Sequence, residues 1–239
     1  MSRKATPAPT HSRQTLPPDN DAKARTQRKL LAAAMQLVRR GRTPAVAEVA
    51  LTAGVSRATA YRYFESRSKL VSAVIGEGLA PVRRTRTVAS DGPQALRELF
   101  EKTFPLFKEN ERHMRAALQL ALEHESLERA GLLEEEAFRR GHRRDILART
   151  AAPLRPSLGE DGFDRLLKAL SIIYGIEIYV VLKDIWGASN REVEAIARWM
   201  LEAIVAAALA ETKAADAKKA ARRRPSGRSA TGATPTSRA

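Results

Sequence analysis

Apolar residues recur with helical spacing along most of the chain. Near the N-terminus, Leu30, Ala34, Leu37 and Val38 follow an i, i+4, i+7, i+8 pattern, the buried stripe of an amphipathic helix. Gly41 follows this stripe and is a typical helix terminator. No segment alternates apolar and polar residues for long enough to indicate a β-strand. The pattern therefore predicts an all-α protein.

Short helices are predicted directly after this stripe from local start and stop signals. Thr43-Pro44 has the form of an N-cap followed by a proline at the first helical position, and this second helix should end at Gly54. Ser56 should cap a third helix that runs to about Phe64, and Ser66 should begin a fourth. The result is a compact three-helix unit, which is too small to be more than an N-terminal domain attached to a larger domain.

Longer helical segments fill the rest of the chain. We expect helices at about 94–108, 110–129, 131–151, 162–186 and 190–211. Ser189 and Glu192 form an S-x-x-E capping box for the last of them. Helix content this high, with short connections, predicts a helical bundle after the N-terminal unit.

Composition narrows the class of protein. The chain has 239 residues and no cysteine, which excludes a disulfide scaffold, a cysteine-ligated zinc site and thiol catalysis. Residues 1–25 lack the apolar stretch of a secretory signal. The most apolar run, residues 172–182, is interrupted by Gly175 and Glu177 and is too short to span a bilayer. We therefore expect a cytoplasmic protein with no membrane partner.

The positive charge is concentrated in three segments. The chain carries 42 Lys and Arg against 27 Asp and Glu, a net charge of +15. Residues 26–75 contribute +7, residues 213–239 another +7 and residues 1–25 contribute +3, whereas the rest sum to −2. This distribution indicates a polyanionic partner, but it does not fit a protein whose whole surface is basic. Residues 1–20 and 213–239 lack helical periodicity and are expected to be disordered.

Residues 50–64 have the pattern of a helix-turn-helix. Gly54 allows the left-handed backbone of a tight turn, and Val55 fills the angle between the two helices. Ser56 caps the second helix, whose N-terminus then presents free N–H groups to a groove. Arg57 has the reach to read a guanine edge, although a phosphate contact would suit it equally well.

Other side chains near this helix suit DNA as well. The small residues at positions 58 and 59 allow the helix to approach DNA closely. The tyrosines and the arginine further along the chain suit contacts with phosphate, which position the protein on DNA but do not read its sequence. The alternative is that the aromatic residues are ordinary core and surface residues of a bundle. The predicted DNA-binding residues are Thr43, Ser56, Arg57, Ala58, Thr59, Tyr61, Tyr63 and Arg67.

Residues 26–75 resemble the DNA-binding domain of the TetR family of bacterial transcriptional regulators. The matching positions are residues 30–34, Val49-Ala50, Gly54-Val55-Ser56, Thr59, Tyr61, Tyr63-Phe64 and Leu70. In the family the position of Tyr61 contacts DNA, and a lysine shortly after the Tyr-Phe pair holds phosphate. That lysine corresponds to Arg67, which keeps the charge. Ala45, Ala60 and Ser68 depart from the family pattern without removing a phosphate-binding charge.

The resemblance implies an all-α C-terminal domain that binds a small-molecule effector and dimerises through its last two long helices. The expected segments are an N-terminal arm (1–20), a helix-turn-helix domain (21–75), an effector and dimerisation domain (76–212) and a basic tail (213–239). Residues 163–186 and 196–209 are too apolar for two solvent-facing helices, so residues 162–211 are the predicted homodimer interface. A purely internal core is the alternative.

The predicted effector pocket combines apolar side chains with a few polar anchors. Its residues are Phe104, Phe107, Met114, Leu118, Glu123, Tyr174 and Glu177. An ordinary core with surface charges is the alternative for each of them. His113 and His124 share a helix face about 16 Å apart and cannot chelate one ion. We therefore expect no metal site and no cofactor.

Taken together, these features predict a dimeric regulator, a repressor in the usual manner of this family. It would bind a palindromic operator in double-stranded DNA and release it when a small effector binds. The alternative is a nucleoid-type protein that coats DNA without sequence preference, supported by the basic tail. An enzyme is disfavoured, because the sequence has no nucleophile–base pair, phosphate loop or metal cluster.

Overall fold

The chain is an all-α protein, and its computed structural model describes residues 18–223, a range without any β-strand. None of the helices in that range combines the length and the apolar character that crossing a bilayer requires. The helices are α1 (Pro18–Arg39), α2 (Val46–Ala53), α3 (Arg57–Tyr63), α4 (Arg67–Gly78), α5 (Ala80–Arg84), α6 (Gly92–Glu109), α7 (Glu111–Arg129), α8 (His142–Ala151), α9 (Arg155–Ile173), α10 (Ile176–Tyr179) and α11 (Asn190–Arg223), with a 3₁₀ turn at Ala152–Leu154 and a π-helix at Val180–Ile185.

These helices form two compact units. The N-terminal unit contains the chain up to Pro81 together with Asn110–Arg140, and the C-terminal unit contains Val82–Glu109 and the chain from Gly141 onward. Helix α7 therefore packs with α1 and α4. This arrangement differs from the predicted domain boundary after residue 75, which places α7 in the effector domain.

The core of the N-terminal unit is built from the apolar stripe recognised in the sequence. Helix α1 packs on α2, α4 and α7, and α2 packs on α3. The fully buried side chains include Leu30, Ala34, Val49, Ala60 and Leu70. Because five helices contribute to one core, the short helices α2 and α3 are held by packing and not by their own length.

Most predicted helix ends in this unit are confirmed. Helix α2 ends at Gly54, whose φ of 63° is the left-handed conformation that glycine adopts at low cost. Ser56 and Ser66 cap α3 and α4, each through a side-chain oxygen that accepts a backbone N–H three residues on. The predicted cap at Thr43 is wrong: the N-cap of α2 is Ala45, and no side chain caps that helix.

Helices α6, α8, α9 and α11 form the core of the C-terminal unit. Helix α9 packs on α8 and α11, and α6 packs on α8 and α11. The buried stripe of α9 is made of Phe163, Leu166, Leu170 and Ile173. The capping box of α11 is confirmed, because Ser189 N–H donates to Glu192 Oε2 at 2.7 Å and Glu192 N–H donates to Ser189 Oγ at 3.3 Å.

The helix predicted at 131–151 begins only at His142. Helix α7 ends before Gly131, which has a φ of 69°, and Leu132 N–H donates to Leu127 O at 2.9 Å. In the segment that follows, the Glu136 carbonyl accepts from Ser68 Oγ of α4, and the Phe138 N–H donates to His124 Nδ1 of α7. Backbone groups used in this way cannot form a helix of their own.

The single helix predicted at 162–186 is also interrupted. Tyr174 (φ −107°, ψ 80°) and Gly175 (φ 154°, ψ −157°) leave the helical conformation between α9 and α10. Arg143 Nη1 donates to the Ser171 carbonyl at 2.7 Å, and the guanidinium forms two hydrogen bonds of 2.7 Å to the Glu177 carboxylate. A Cβ on Gly175 would lie 2.9 Å from Arg143 Nη1, so a side chain at this position would displace the arginine.

The two predicted disordered ends need a smaller correction. Helix α1 already begins at Pro18, inside the predicted arm, and the rest of that arm lies outside the described residues. Helix α11 continues to Arg223, so residues 213–223 of the predicted tail are helical. The alanine-rich composition explains this, because alanine has the highest helix propensity. The remainder of the tail lies outside the described residues.

Candidate functional site

The turn between α2 and α3 fixes the geometry of a helix-turn-helix. Gly54 N–H donates to Leu51 O at 3.2 Å and Val55 N–H donates to Ala50 O at 3.0 Å, which closes the end of α2. Val55 then packs against the core cluster of the N-terminal unit. The chain is thereby redirected into α3 within three residues.

The N-terminus of α3 is tightly organised. Ser56 Oγ accepts the Thr59 N–H at 3.1 Å and donates its own proton to Thr59 Oγ1 at 2.8 Å. This cap satisfies one of the free N–H groups of the first turn and leaves the others for an anionic ligand. Ser56 therefore acts as the N-cap of α3, and this end of the helix is exposed together with Arg57.

One face of α3 is exposed and basic. Arg57, Ala58, Tyr61 and Arg62 are exposed, Tyr61 to 41% of its surface, whereas Ala60 on the opposite face is fully buried. The exposed positions follow i, i+1, i+4, i+5 spacing and so share one side of the helix. The structure brings three predicted DNA-binding residues together here and adds Arg62, which the same spacing in the sequence points to.

The other predicted DNA-binding residues are less accessible. Thr59 and Tyr63 are half-buried on the flank of α3, and Thr43 uses its hydroxyl to donate to Gln119 Oε1 at 2.8 Å. Arg67 is paired with Glu123 of α7, its Nη1 lying 2.7 Å from Glu123 Oε1. Arg67 and Glu123 were predicted for two different sites, and the structure places them in one ion pair.

The comparison with known families matches this segment. Residues 30–74 match the family described as bacterial regulatory proteins, tetR family. The chain carries a TetR-family helix-turn-helix domain. That family consists of DNA-binding transcriptional regulators, so DNA binding in transcription regulation is the function that this segment indicates.

Whole-chain comparisons add less. A solved structure of a Mesorhizobium loti MAFF303099 protein, assigned to the TetR family of transcriptional regulators, is 20% identical, with 77% of this chain and 97% of that chain covered and a TM-score of 0.45. No curated protein matches the chain significantly. The family match is therefore limited to residues 30–74.

Outside the TetR-family domain, an aromatic cluster occupies the C-terminal unit. Phe100 and Phe104 stack at 5.2 Å, Phe107 meets Tyr174 edge-on at 5.1 Å, and Tyr179 stacks on Phe104 at 6.1 Å. All five side chains are buried. Three of the predicted effector-pocket residues, Phe104, Phe107 and Tyr174, thus lie in direct contact.

Tyr174 is the polar member of this cluster without a hydrogen-bond partner. Its side chain is 1% exposed, and among residues 18–223 no group meets the distance and angle of a hydrogen bond to its hydroxyl, Thr103 being the nearby polar side chain that interacts with it. Burial raises the pKa of the Tyr174 phenol well above its usual value, an effect that the nearby Thr103 partly opposes. The hydroxyl is therefore protonated and available as a donor inside an apolar site.

A small cavity adjoins the cluster. Its volume is about 90 Å³, and it is lined by Phe100, Glu101, Phe104, Pro105, Glu194 and Arg198. The cavity combines an aromatic floor with charged walls from α6 and α11.

The residues of the predicted effector pocket are divided between the two compact units. Met114 is buried and Leu118 is half-buried on α7, in the N-terminal unit with Glu123. Glu177, in the C-terminal unit, is paired with Arg143. The aromatic part of the predicted pocket is therefore the part that forms one cluster.

The two histidines of α7 have different surroundings. His113 is buried, neither ring nitrogen has a partner, and burial together with the charge of Arg39 lowers its pKa. His124 bonds to Ser68, Glu135 and Phe138. Among residues 18–223, no three His, Cys, Asp or Glu side chains are grouped to hold a metal ion.

Proposed function

We propose that this chain is a dimeric transcriptional regulator that binds a palindromic operator through α3. The observation that carries the proposal is the exposed basic face of the capped helix α3 inside a TetR-family domain. Arg57 reads a base edge, while Tyr61 and Arg62 contact phosphate. The protein would act in the bacterial cytoplasm and lie on the nucleoid when bound to DNA.

The proposed dimer uses the surface of α9, the π-helix and α11. The inner faces of α9 and α11 are buried within the chain, whereas the π-helix has no buried residue, and several large apolar side chains are exposed in the same region. These are Ile172, Val181, Ile185, Trp186 and Trp199, of which Trp199 is 71% exposed. Large exposed apolar side chains grouped on neighbouring elements are typical of protein interfaces. A two-fold dimer would place two α3 helices about 34–36 Å apart, one DNA turn.

The proposed effector is a small molecule with an apolar part and a polar group, which binds at the aromatic cluster. The buried Tyr174 hydroxyl offers a donor without a partner, and Phe100 and Phe104 line the adjoining cavity. An effector that binds one conformer better than the other shifts the population toward it and changes operator affinity. Release of the operator makes the protein a repressor.

Selection of bound sites from a random DNA pool tests the proposal. We expect a palindrome whose half-sites are one helical turn apart, bound at least ~10³-fold more tightly than random DNA. Arg57→Ala should relax the preference at one base position, whereas Tyr61→Ala should weaken binding to all sequences. Equal affinity for selected and random DNA would instead support a nucleoid-type coating protein that uses its basic tail.

A further inference from the structure

The residues that flank the helix-turn-helix in the sequence, before α2 and after α3, form hydrogen bonds with α7. The two helices of the helix-turn-helix span residues 46–63, and the residues just outside that range, Thr43 on one side and Arg67-Ser68 on the other, bond to α7 or to the segment after it. The α7 residues involved are Gln119, Glu123 and His124, which we call the α7 polar stripe. They follow i, i+4, i+5 spacing and share one side of the helix.

The first attachment is at the entry to α2. Thr43 Oγ1 donates to Gln119 Oε1 at 2.8 Å, which uses the hydroxyl that was predicted to cap α2. Arg67 Nη2 donates to the Thr43 carbonyl at 3.1 Å. The loop before α2 is therefore tied both to α7 and to the first residue of α4.

The second attachment is the ion pair between Arg67 and Glu123. The two side chains are 23% and 40% exposed, and Arg67 Nε is buried without a partner. With Nη1 on Glu123 and Nη2 on Thr43, both terminal nitrogens of the guanidinium are already engaged within the protein. A phosphate at this position would also meet the negative charge of Glu123, which repels it.

The third attachment is a buried network around Ser68 and His124. Ser68 Oγ donates to the Glu136 carbonyl at 2.7 Å and lies 3.3 Å from His124 Nδ1. Phe138 N–H donates to the same Nδ1 at 3.1 Å, so the ring proton is on Nε2, which lies 3.2 Å from Glu135 Oε1. Buried networks with every member satisfied favour a single arrangement.

We propose that Arg67 is a positioning residue of the helix-turn-helix and not a phosphate ligand, and that the α7 polar stripe, acting through Arg67, holds the helix-turn-helix in the arrangement that binds the operator. This inference rests on the proposed operator binding. It assigns Arg67 a different role from the one that the family resemblance implies, and the two roles predict different results.

Salt dependence of operator binding separates the two roles. A phosphate ligand contributes about 0.9 to the slope of log affinity against log salt, so losing one in each subunit would make the slope shallower by about 1.8. We expect Arg62→Gln to show that loss. We expect Arg67→Gln to keep the wild-type slope while affinity falls roughly 2- to 30-fold, the range that coupling residues show.

The partner on α7 provides the decisive comparison. Glu123→Gln removes no positive charge, yet it should weaken operator binding by the same factor as Arg67→Gln, and the double variant should be no weaker than either single one. Glu128→Gln is the matched control, because it removes the same charge from α7 and breaks an ion pair with Arg139 instead. It should leave affinity unchanged.

Hydrogen exchange of the free protein tests the attachment without DNA. We expect Arg67→Gln and Glu123→Gln to accelerate amide exchange in residues 43–66 to the same extent, and Glu128→Gln to have no effect there. If site selection finds no operator, the proposed function fails, and this exchange experiment alone still decides whether the stripe holds the helix-turn-helix.

Three results would overturn the positioning role. One is a slope of log affinity against log salt that is shallower in Arg67→Gln than in the wild type by about 1.8, as expected for the loss of a phosphate ligand from each subunit. Another is wild-type affinity and exchange in Glu123→Gln. The third is an additive double variant, since independent effects mean that the two residues do not act through one ion pair.

Discussion

Replacing Tyr174 by phenylalanine should stabilise the protein. The Tyr174 hydroxyl is buried without a hydrogen-bond partner, and such a group costs about 1–3 kcal/mol relative to its hydration in the unfolded chain. The ring keeps its contacts with Phe100 at 5.2 Å and Phe107 at 5.1 Å, so Tyr174→Phe loses no packing. We expect a gain of about 1–2 kcal/mol in the free energy of unfolding.

Tyr179 offers a matched control five residues further on. It is buried in the same cluster, but its hydroxyl donates to the Phe104 carbonyl at 3.3 Å. The same atom is removed in Tyr179→Phe, yet here a hydrogen bond is lost, which should cost about 0.5–1.5 kcal/mol. The two variants are therefore expected to change stability in opposite directions.

Urea unfolding followed by circular dichroism measures both changes, with the m-value checked for constancy. If Tyr174→Phe destabilises the protein as much as Tyr179→Phe does, the Tyr174 hydroxyl has a partner such as Thr103 or a buried water, and the reasoning is refuted. If Tyr174→Phe is more stable but loses its response to effector, the hydroxyl is kept for binding at the expense of stability.

Three further predictions follow from single features. Ser56→Ala removes the cap of α3 and should cost about 1 kcal/mol, measured by thermal unfolding, with weaker operator binding. The pKa of His113 is lowered in the folded state, so as the pH falls below about 6.5 the imidazole of His113 binds a proton more readily in the unfolded chain than in the folded one. Stability should therefore fall from pH 7 toward pH 5, and His113→Leu should flatten that dependence in urea titrations; an unchanged slope would show that His113 is not its source. Trp199→Glu places a charge on the proposed dimer surface and should give a monomer by light scattering, whereas a dimer that persists would locate the interface elsewhere.

Features decided by a few neighbouring residues were predictable from the sequence. The caps at Ser56, Ser66 and Ser189 and the turn at Gly54 depend on local hydrogen bonds and on one backbone angle, which residue type largely determines. The exposed face of α3 was predicted in part, because the predicted DNA-binding residues include Arg57, Ala58 and Tyr61 but not Arg62.

Features that depend on distant partners were not predictable. The break at Tyr174-Gly175 is held by Arg143, and the non-helical segment after α7 is held by Ser68 and His124. The pairing of Arg67 with Glu123 joins residues 56 positions apart, and nothing in either local pattern indicates it. In the aromatic cluster, the three phenylalanines of α6 follow helical spacing, whereas their contacts with Tyr174 and Tyr179 depend on packing between helices.

The position of α7 limits how this regulator can be recombined with its relatives. Residues up to Pro81 look like a transferable module, but Ala116, Ala117 and Leu120 of α7 complete their core. A chimera that joined residues 1–81 to another protein's effector domain would set α1 and α4 against a foreign helix. Under the proposed function, operator specificity would therefore be transferred better by exchanging only the exposed face of α3, which leaves the contacts of α7 with α1 and α4 intact.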